Sequence, residues 1–305
     1  MKVVINPAYL FLSDFINNLP NCFESEGEII YEGRNTIKQY TIKNIDIAVK
    51  SFKVPLLVNR LAYTYFRKSK AARSYYYAFE IKRRGFLTPD PIAYVETYKG
   101  GLLKGSYFVS VYDSASETVR SLMAGENVPD SENKLRSFAS FTAAIHEAGI
   151  YHVDYSPGNV LIKNLPDNTY QFSLIDINRM QFKSVSKEEA YVNLARLSFS
   201  PSALSLIAKQ YALCRGWDIN ETDYNMSSQS DTYFKNYAYR LANKSWRKMG
   251  GSILNNPIWK YKTYLWVSKF SFISFSCKEK LLLKKQQLYA QYIAEYDFRK
   301  VLLHE

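Results

Sequence analysis

The sequence has little cysteine and little histidine. Its three cysteines, Cys22, Cys214 and Cys277, are an odd number, lie far apart and contain no C-x-x-C pair. That pattern argues against a disulfide framework and against a structural zinc site. The three histidines, His146, His152 and His304, are too scattered to make a metal centre. Long apolar runs are also missing. The most apolar late stretch, from Tyr264 to Phe275, is cut by Lys269 and several serines and is too short to span a bilayer. The opening MKVVINPAYLFLSDF lacks the unbroken apolar segment and small-residue cleavage site of a signal peptide, so a cytoplasmic location is expected. There is no internal repeat, no low-complexity tract and no complete G-x-G-x-x-G. Acid is scarce in one region: from Lys50 to Arg84, ten Lys and Arg face the single acid Glu80.

What is present fits a folded chain of 305 residues, long enough for one large domain or two lobes around a sizeable core. Hydrophobic residues make up 47% and charged residues 22%, an ordinary balance that excludes extended disorder. The 26 Tyr and 18 Phe suit cores and interfaces in which a ring is buried and a hydroxyl stays wet. The net charge is +12, concentrated in the Lys50–Arg84 block and a second block from Lys235 to Lys285. Such charge either favours anionic partners (nucleic acid, an anionic membrane surface, phosphorylated substrates) or forms solvated basic faces.

Along the chain, short alternating runs come first: EIIYEG, a Gly33-Arg34-Asn35 turn, IKQYTI, a break at Asn44, and IDIAVKSF. They predict an antiparallel meander. Asn59 to Arg84 reads as a long helix closed by Gly85, with Pro89 and Pro91 beyond. Two strands follow, PIAYVETY and GSYFVSVYD. The period then changes to helical over Ser116–Ala124 and Glu132–Ala148, the latter closed by Gly149. A loop, YHVDYSPGN, leads into a strand VLIKN, a turn at 166–168 and a strand QFSLIDI. From Lys187 onward the pattern is almost entirely helical. This order predicts an α+β fold of two lobes: a β-rich N-terminal lobe with one long helix (1–113) and an α-rich C-terminal lobe (114–305), joined near Tyr112 to Ala115.

The strongest chemical signal is H-x-D-x-x-x-x-N at His152, Asp154 and Asn159, followed by an apolar strand and then by L-I-D ending at Asp176. Phosphoryl transfer requires an acceptor hydroxyl to be positioned, its proton accepted and the phosphate charge neutralised. Asp154 on a rigid loop can do the first two as catalytic base. Asn159 and Asp176 offer the amide and carboxylate oxygens that suit Mg²⁺. Type and order match a kinase catalytic loop and metal aspartate. A lysine on a central strand of the first lobe, Lys50 in A-V-K, stands where ATP phosphates must be held, and Glu80 is the one acid in the following helix that can steady it. The expected cofactors are therefore ATP and Mg²⁺. Gly33 is the lone glycine of the phosphate-covering turn; it either lets backbone approach phosphate, with Arg34 or Lys38 assisting, or simply makes a hairpin. His152 is expected to hold the loop by packing and hydrogen bonding, and His146 to be structural.

With these residues assembled, the chain resembles the lipopolysaccharide core kinases of the Kdo/WaaP type, within the protein-kinase-like superfamily, and in particular their Bacteroidetes branch. The matching text is GRNTIK, IAVKSFK, SKAARSYYYAFEIKRRGFLTPDPIAY, YHVDYSPGNVLI and LIDINRMQF, within roughly Asn6 to Phe199. The resemblance implies transfer of the ATP γ-phosphate to a sugar hydroxyl, Kdo or heptose, of a lipid A-linked core saccharide, by a protein that docks on the inner face of an anionic membrane. Departures from the protein-kinase pattern point the same way. The loop reads H-V-D without the arginine that binds an activation-loop phosphate, Ser156 stands where protein kinases carry lysine, and D-I-N replaces D-F-G. Arg179, just beyond, is a candidate contact for phosphate or acceptor. Other classes stay open: a catalytically weak pseudokinase acting as a binding module, suggested by the thin glycine turn, a small-molecule kinase, and a kinase associated with RNA through basic, Tyr-rich surface. No recognisable nucleic-acid module is present, so nucleic acid is not the expected partner.

Overall fold

Short alternating runs separated by tight turns fold into an antiparallel sheet, with successive side chains on opposite faces. In the computed structural model, which describes residues 1–54, 67–112, 116–123, 130–197, 200–248, 280 and 283, six strands pair in the order β1-β5-β6-β4-β3-β2. They are β1 (Lys2–Ile5), β2 (Glu28–Glu32), β3 (Thr36–Ile42), β4 (Ile45–Ser51), β5 (Pro91–Lys99) and β6 (Leu102–Val111). Lys43 and Asn44 join β3 to β4, both at positive φ (51° and 61°), the backbone of a two-residue hairpin turn. The register sets Lys50 opposite Ile37 on one side and Phe108 on the other.

The strand β1 is not predicted from the sequence. Four residues give too few alternations to be legible, and only the partner strand shows the role of this run: Val3 lies opposite Val95 at the sheet edge. A helix α1 (Ser13–Cys22) then buries Ile16, Leu19 and Cys22 against Tyr40, Ile47, Val49, Ile92 and Val109 of the sheet.

The helix expected over Asn59–Arg84 is shorter. α2 spans Lys70–Arg83, and residues 67–69 are not helical, because the Ser69 hydroxyl accepts from Ala72 N at 3.1 Å and caps the first turn. Residues 55–66 lie outside the described residues. α2 joins two cores. Ala71, Ala72 and Tyr75 pack with Phe52 and Tyr94 of the sheet, while Ala78 and Ile81, one to two turns later, enter the core of the helical part.

Of the expected joint, Tyr112 to Ala115, residues 113–115 lie outside the described residues, as does Ala124. The helix expected over Ser116–Ala124 is instead a short strand β7 (Glu117–Thr118) and a single turn α3 (Arg120–Met123). Glu117 and Thr118 pair with Ile162 and Leu161, and this tertiary pairing overrides the local helical pattern. α4 (Ser131–Glu147) matches its prediction within a residue at each end, and Gly149 follows at φ 70°. The loop is flanked by β8 (Ile150–His152), and the hairpin is β9 (Val160–Asn164) with β10 (Tyr170–Leu174). β11 (Met180–Phe182), unpredicted, pairs back onto β8. Then come α5 (Lys187–Leu194), α6 (Pro201–Arg215) and α7 (Ile219–Lys248), as the helical pattern after Lys187 predicts. Phe138, Ile145, Tyr155, Leu174, Ile207 and Tyr211 are buried at the centre of this half. Cys277, His304, the Tyr264–Phe275 stretch and most of the second basic block lie outside the described residues. Among the described residues no helix is long and apolar enough to cross a membrane.

Candidate active site

The catalytic loop is fixed from below by buried polar side chains. His152 Nε2 lies 3.0 Å from Ile175 O. A carbonyl can only accept, so Nε2 carries the proton and ties the loop to the end of β10. Burial lowers the imidazole pKa, and His152 is a neutral, structural residue here, as expected. From the other side Asn193 Nδ2 donates to His152 O at 2.9 Å, and Arg196 Nη1 donates to Val153 O at 2.9 Å. With Nδ2 committed, the Asn193 oxygen faces His146 Nε2 at 3.1 Å, so that nitrogen is protonated and Nδ1 accepts from the Tyr211 hydroxyl at 2.9 Å. His146 is thereby structural too, and burial pushes its pKa down to about 4.

On this support the candidate residues converge. Asn159 Nδ2 donates to Asp154 O at 2.8 Å, closing the loop on itself. Ile175 N donates to Asn159 O at 3.0 Å, so the backbone ladder sets Asn159 beside the residue that precedes Asp176. Asp176 has φ 52°, a left-handed conformation that Asp tolerates better than most residues, and it starts a 3-10 turn, Ile177–Arg179, packed against α2. Lys50 Nζ, 126 residues away in sequence, donates to Asp176 Oδ1 at 2.6 Å. Asn178 Nδ2 donates to the same oxygen at 2.5 Å. Burial alone would raise the Asp176 pKa, but the Lys50 ammonium and these two donors outweigh it and hold the carboxyl ionised, below its ordinary value.

Two expected placements need correction. Glu80 does not meet Lys50: its carboxylate is taken by Arg83 (2.6 and 2.8 Å) and Arg84 (2.7 Å) at the C-terminal end of α2. Arg84 in turn donates to Ala148 O at 2.5 Å, so Glu80 helps tie the end of α2 to the residue that caps α4. The reason is helical phase. The α2 residue that lines the cleft is Ser74, six positions earlier, and the carboxylate beside Lys50 is Asp176 itself. Lys38 is equally unavailable to phosphate. It is 6% exposed, and its ammonium is shared among the carbonyls of Phe23 (2.6 Å), Glu24 (3.2 Å) and Glu26 (2.9 Å).

Between the sheet and the catalytic loop lies a cleft of about 550 Å³. Ile37, Ala48, Phe108 and Leu161 give it apolar walls, and Lys50, Asn159 and Asp176 stand along it. That combination, apolar surface beside a few convergent polar groups, suits a purine nucleotide. Gly33 is not among its lining residues; its neighbours Tyr31, Arg34 and Asn35 are. Arg120 also lines it, close enough that a Cβ on Gly158 would sit 2.9 Å from its guanidinium. Neither Arg34 nor Arg120 has an ion-pair partner among the described residues, and both are exposed. Ser74 and Arg120 carry no sequence signal of function, because only the fold turns them to the cleft.

The donor set fits the implied metal. Among the described residues no group of three or more His, Cys, Asp or Glu is arranged to hold an ion. Asn159 and Asp176 alone provide two hard oxygens, which is what Mg²⁺ takes when water and substrate phosphates fill its other positions.

A family model described as the lipopolysaccharide kinase (Kdo/WaaP) family matches residues 43–216, more than half of the chain and all of the site from Lys50 to Arg179. The chain belongs to this family. It is therefore a kinase that phosphorylates a sugar hydroxyl, and its α+β architecture is protein-kinase-like. Among solved structures it is similar to WaaP in complex with acyl carrier protein, at 15% identity and TM-score 0.54, over 76% of this chain and 99% of that one. A MAP kinase from Leishmania major is a more distant match, at 14% identity and TM-score 0.36, over 73% of this chain and 66% of that one. A comparison with curated proteins finds no match.

Proposed function

We propose that this Kdo/WaaP-family kinase transfers the γ-phosphate of ATP to a hydroxyl of Kdo or heptose in a lipid A-linked core saccharide, from the cytoplasmic face of the membrane. The observation that carries this is the 2.6 Å contact between Lys50 and Asp176, a strand lysine and a metal-type aspartate brought together across the cleft from far apart in sequence. Lys50 holds the phosphates, and the walls around Ala48 and Leu161 hold the base. Asn159 and Asp176 would hold Mg²⁺. A bound magnesium ion neutralises charge on the phosphates. Asp154, its backbone pinned by Asn159, orients the acceptor hydroxyl and accepts its proton. The basic surface suits an anionic, membrane-embedded acceptor.

The test is Asp154→Asn. Phosphate transfer to core saccharide should fall by ~10²–10⁴-fold, the usual contribution of a positioned base, while Mg-dependent ATP binding and the melting temperature hold. Retained transfer would sink the assignment of the base. Mass spectrometry of lipopolysaccharide from a strain with and without the gene identifies the acceptor, as the loss of one phosphate on the inner core.

The engagement of Glu80 by Arg83 and Arg84 favours one alternative, a pseudokinase that binds without turnover. No Mg-dependent thermal shift with ATP, and no ATP consumption with any glycolipid acceptor, would establish it.

A further inference from the structure

We infer that Arg179 is the residue that selects the acceptor: it takes an anionic group of the saccharide, carboxylate or phosphate, beside the hydroxyl that Asp154 serves. This rests on the kinase function proposed above. Arg179 Nη1 lies 3.0 Å from one oxygen of Asp154 and 3.2 Å from the other, so the guanidinium covers both oxygens of the base. The two side chains are 46% and 39% exposed, and an ion pair so open to water is weak and exchangeable. Neither residue lines the nucleotide cleft, whereas Ser156, Gly158, Asn159 and Asp176 do. The pair therefore stands outside the nucleotide site, where an acceptor arrives from solvent.

The surroundings are cationic. Burial and the charges of Arg34, Arg179 and Arg73 together lower the pKa of Lys70, while Asp176, which acts against them, is already held by Lys50. An incoming anion is thus attracted to this mouth. The catalytic loop offers no cation of its own, since Val153 and Ser156 occupy the positions that carry Arg and Lys in protein kinases. Arg179 is also well placed to exchange partners without moving its backbone. It ends a 3-10 turn packed on α2 and is followed directly by β11, which pairs with β8.

When the acceptor's anion takes the guanidinium, the Asp154 oxygens are released toward the neighbouring hydroxyl. Its proton passes to Asp154 as its oxygen forms the new bond to the γ-phosphorus, and the bond to the β-phosphate oxygen breaks with ADP leaving. An acceptor without the anion leaves Arg179 on Asp154 and the base covered. Arg179 would then discriminate anionic from neutral sugars, and the guanidinium geometry favours a bidentate oxyanion.

The experiment measures kcat and KM for wild type, Arg179→Gln and Arg179→Lys with a deacylated Kdo-containing core saccharide from rough lipopolysaccharide. The same saccharide is also used after dephosphorylation, after carboxyl amidation, and after both. Wild type should prefer the anionic saccharide by ~10-fold or more in kcat/KM, as expected for one charge-assisted contact. Arg179→Gln should lose that preference mainly through acceptor KM, with ATP KM unchanged, and Arg179→Lys should recover part of it. Which neutralised saccharide loses the preference identifies carboxylate or phosphate as the ligand. A preference kept by Arg179→Gln, or absent in wild type, overturns the inference and leaves the kinase function standing. Transfer to none of the saccharides overturns the proposed function instead. Calorimetric binding of the saccharides, weaker by the same factor in Arg179→Gln, then still decides the role of Arg179, and equal binding refutes it.

Discussion

Asn193→Ala should both destabilise the protein and slow catalysis, because Asn193 is the buried node on which the catalytic loop rests. It is fully buried on α5 and makes two hydrogen bonds, to His152 O at 2.9 Å and to His146 Nε2 at 3.1 Å. Alanine removes both: the imidazole N–H is left without a partner in the interior, and the His152 carbonyl keeps only the Tyr155 N–H at 3.1 Å. The orphaned N–H costs ~1–3 kcal/mol and the bond lost from the carbonyl ~0.5–1.5 kcal/mol, so the sum is ~1.5–4.5 kcal/mol, a large share of a typical domain's total stability. Water entering the space would bring the loss to the low end. Urea unfolding measures it as a lower midpoint at unchanged m-value. The second readout is kcat. His152 O lies two residues from Asp154, so a loosened loop misplaces the base, and small misplacements are costly in rate. Asn18→Ala is the control, an exposed asparagine whose oxygen only accepts from Asn21, and it should shift stability by no more than ~0.5 kcal/mol. A loss below ~1 kcal/mol for Asn193→Ala, or an unchanged kcat, would refute the role given to this network.

The same network predicts a pH dependence. The His146 pKa is depressed by burial from 6.5 to about 4, so its stabilisation is fully present above pH 6.5 and is lost as pH falls from 6.5 toward 4. The loss is ~3 kcal/mol, read as the difference in pH-dependent stability between wild type and His146→Gln; parallel curves would refute it. Gly149→Ala should destabilise more than Gly85→Ala. Both glycines have positive φ, 70° and 86°, but a Cβ on Gly149 meets Lys183 O at 2.9 Å, whereas one on Gly85 meets nothing within 4 Å. The backbone penalty is ~1 kcal/mol in each and the clash adds to the first; melting temperatures that fall equally would contradict this.

Much of this protein is legible in its sequence. Period-two runs bounded by turn residues suffice for β2 to β6, and helical spacing closed by Gly149 suffices for α4, since these patterns are local consequences of side-chain direction. The catalytic group is legible for a different reason. Asp154 and Asn159 sit on one loop and Asp176 at the end of the hairpin that follows it, so their spacing in sequence nearly fixes their spacing in space. Short β1, β7 and β11 are not legible, because their identity comes from the partners they pair with.

Helical phase and long-range pairing were decided by the tertiary structure alone. Glu80 was the one acid available to steady Lys50, yet the way α2 packs gives it to Arg83 and Arg84, turns Ser74 to the cleft and leaves Lys50 with Asp176. Lys38 looked free for phosphate until the chain beyond α1 brought three carbonyls to its ammonium. Arg179 met Asp154 only because β11 folds back on β8. Residue types and local order determine which chemistry is possible. Burial, helix rotation and strand pairing determine which charged group finds which partner, since an ion pair depends on ångströms that no local pattern encodes.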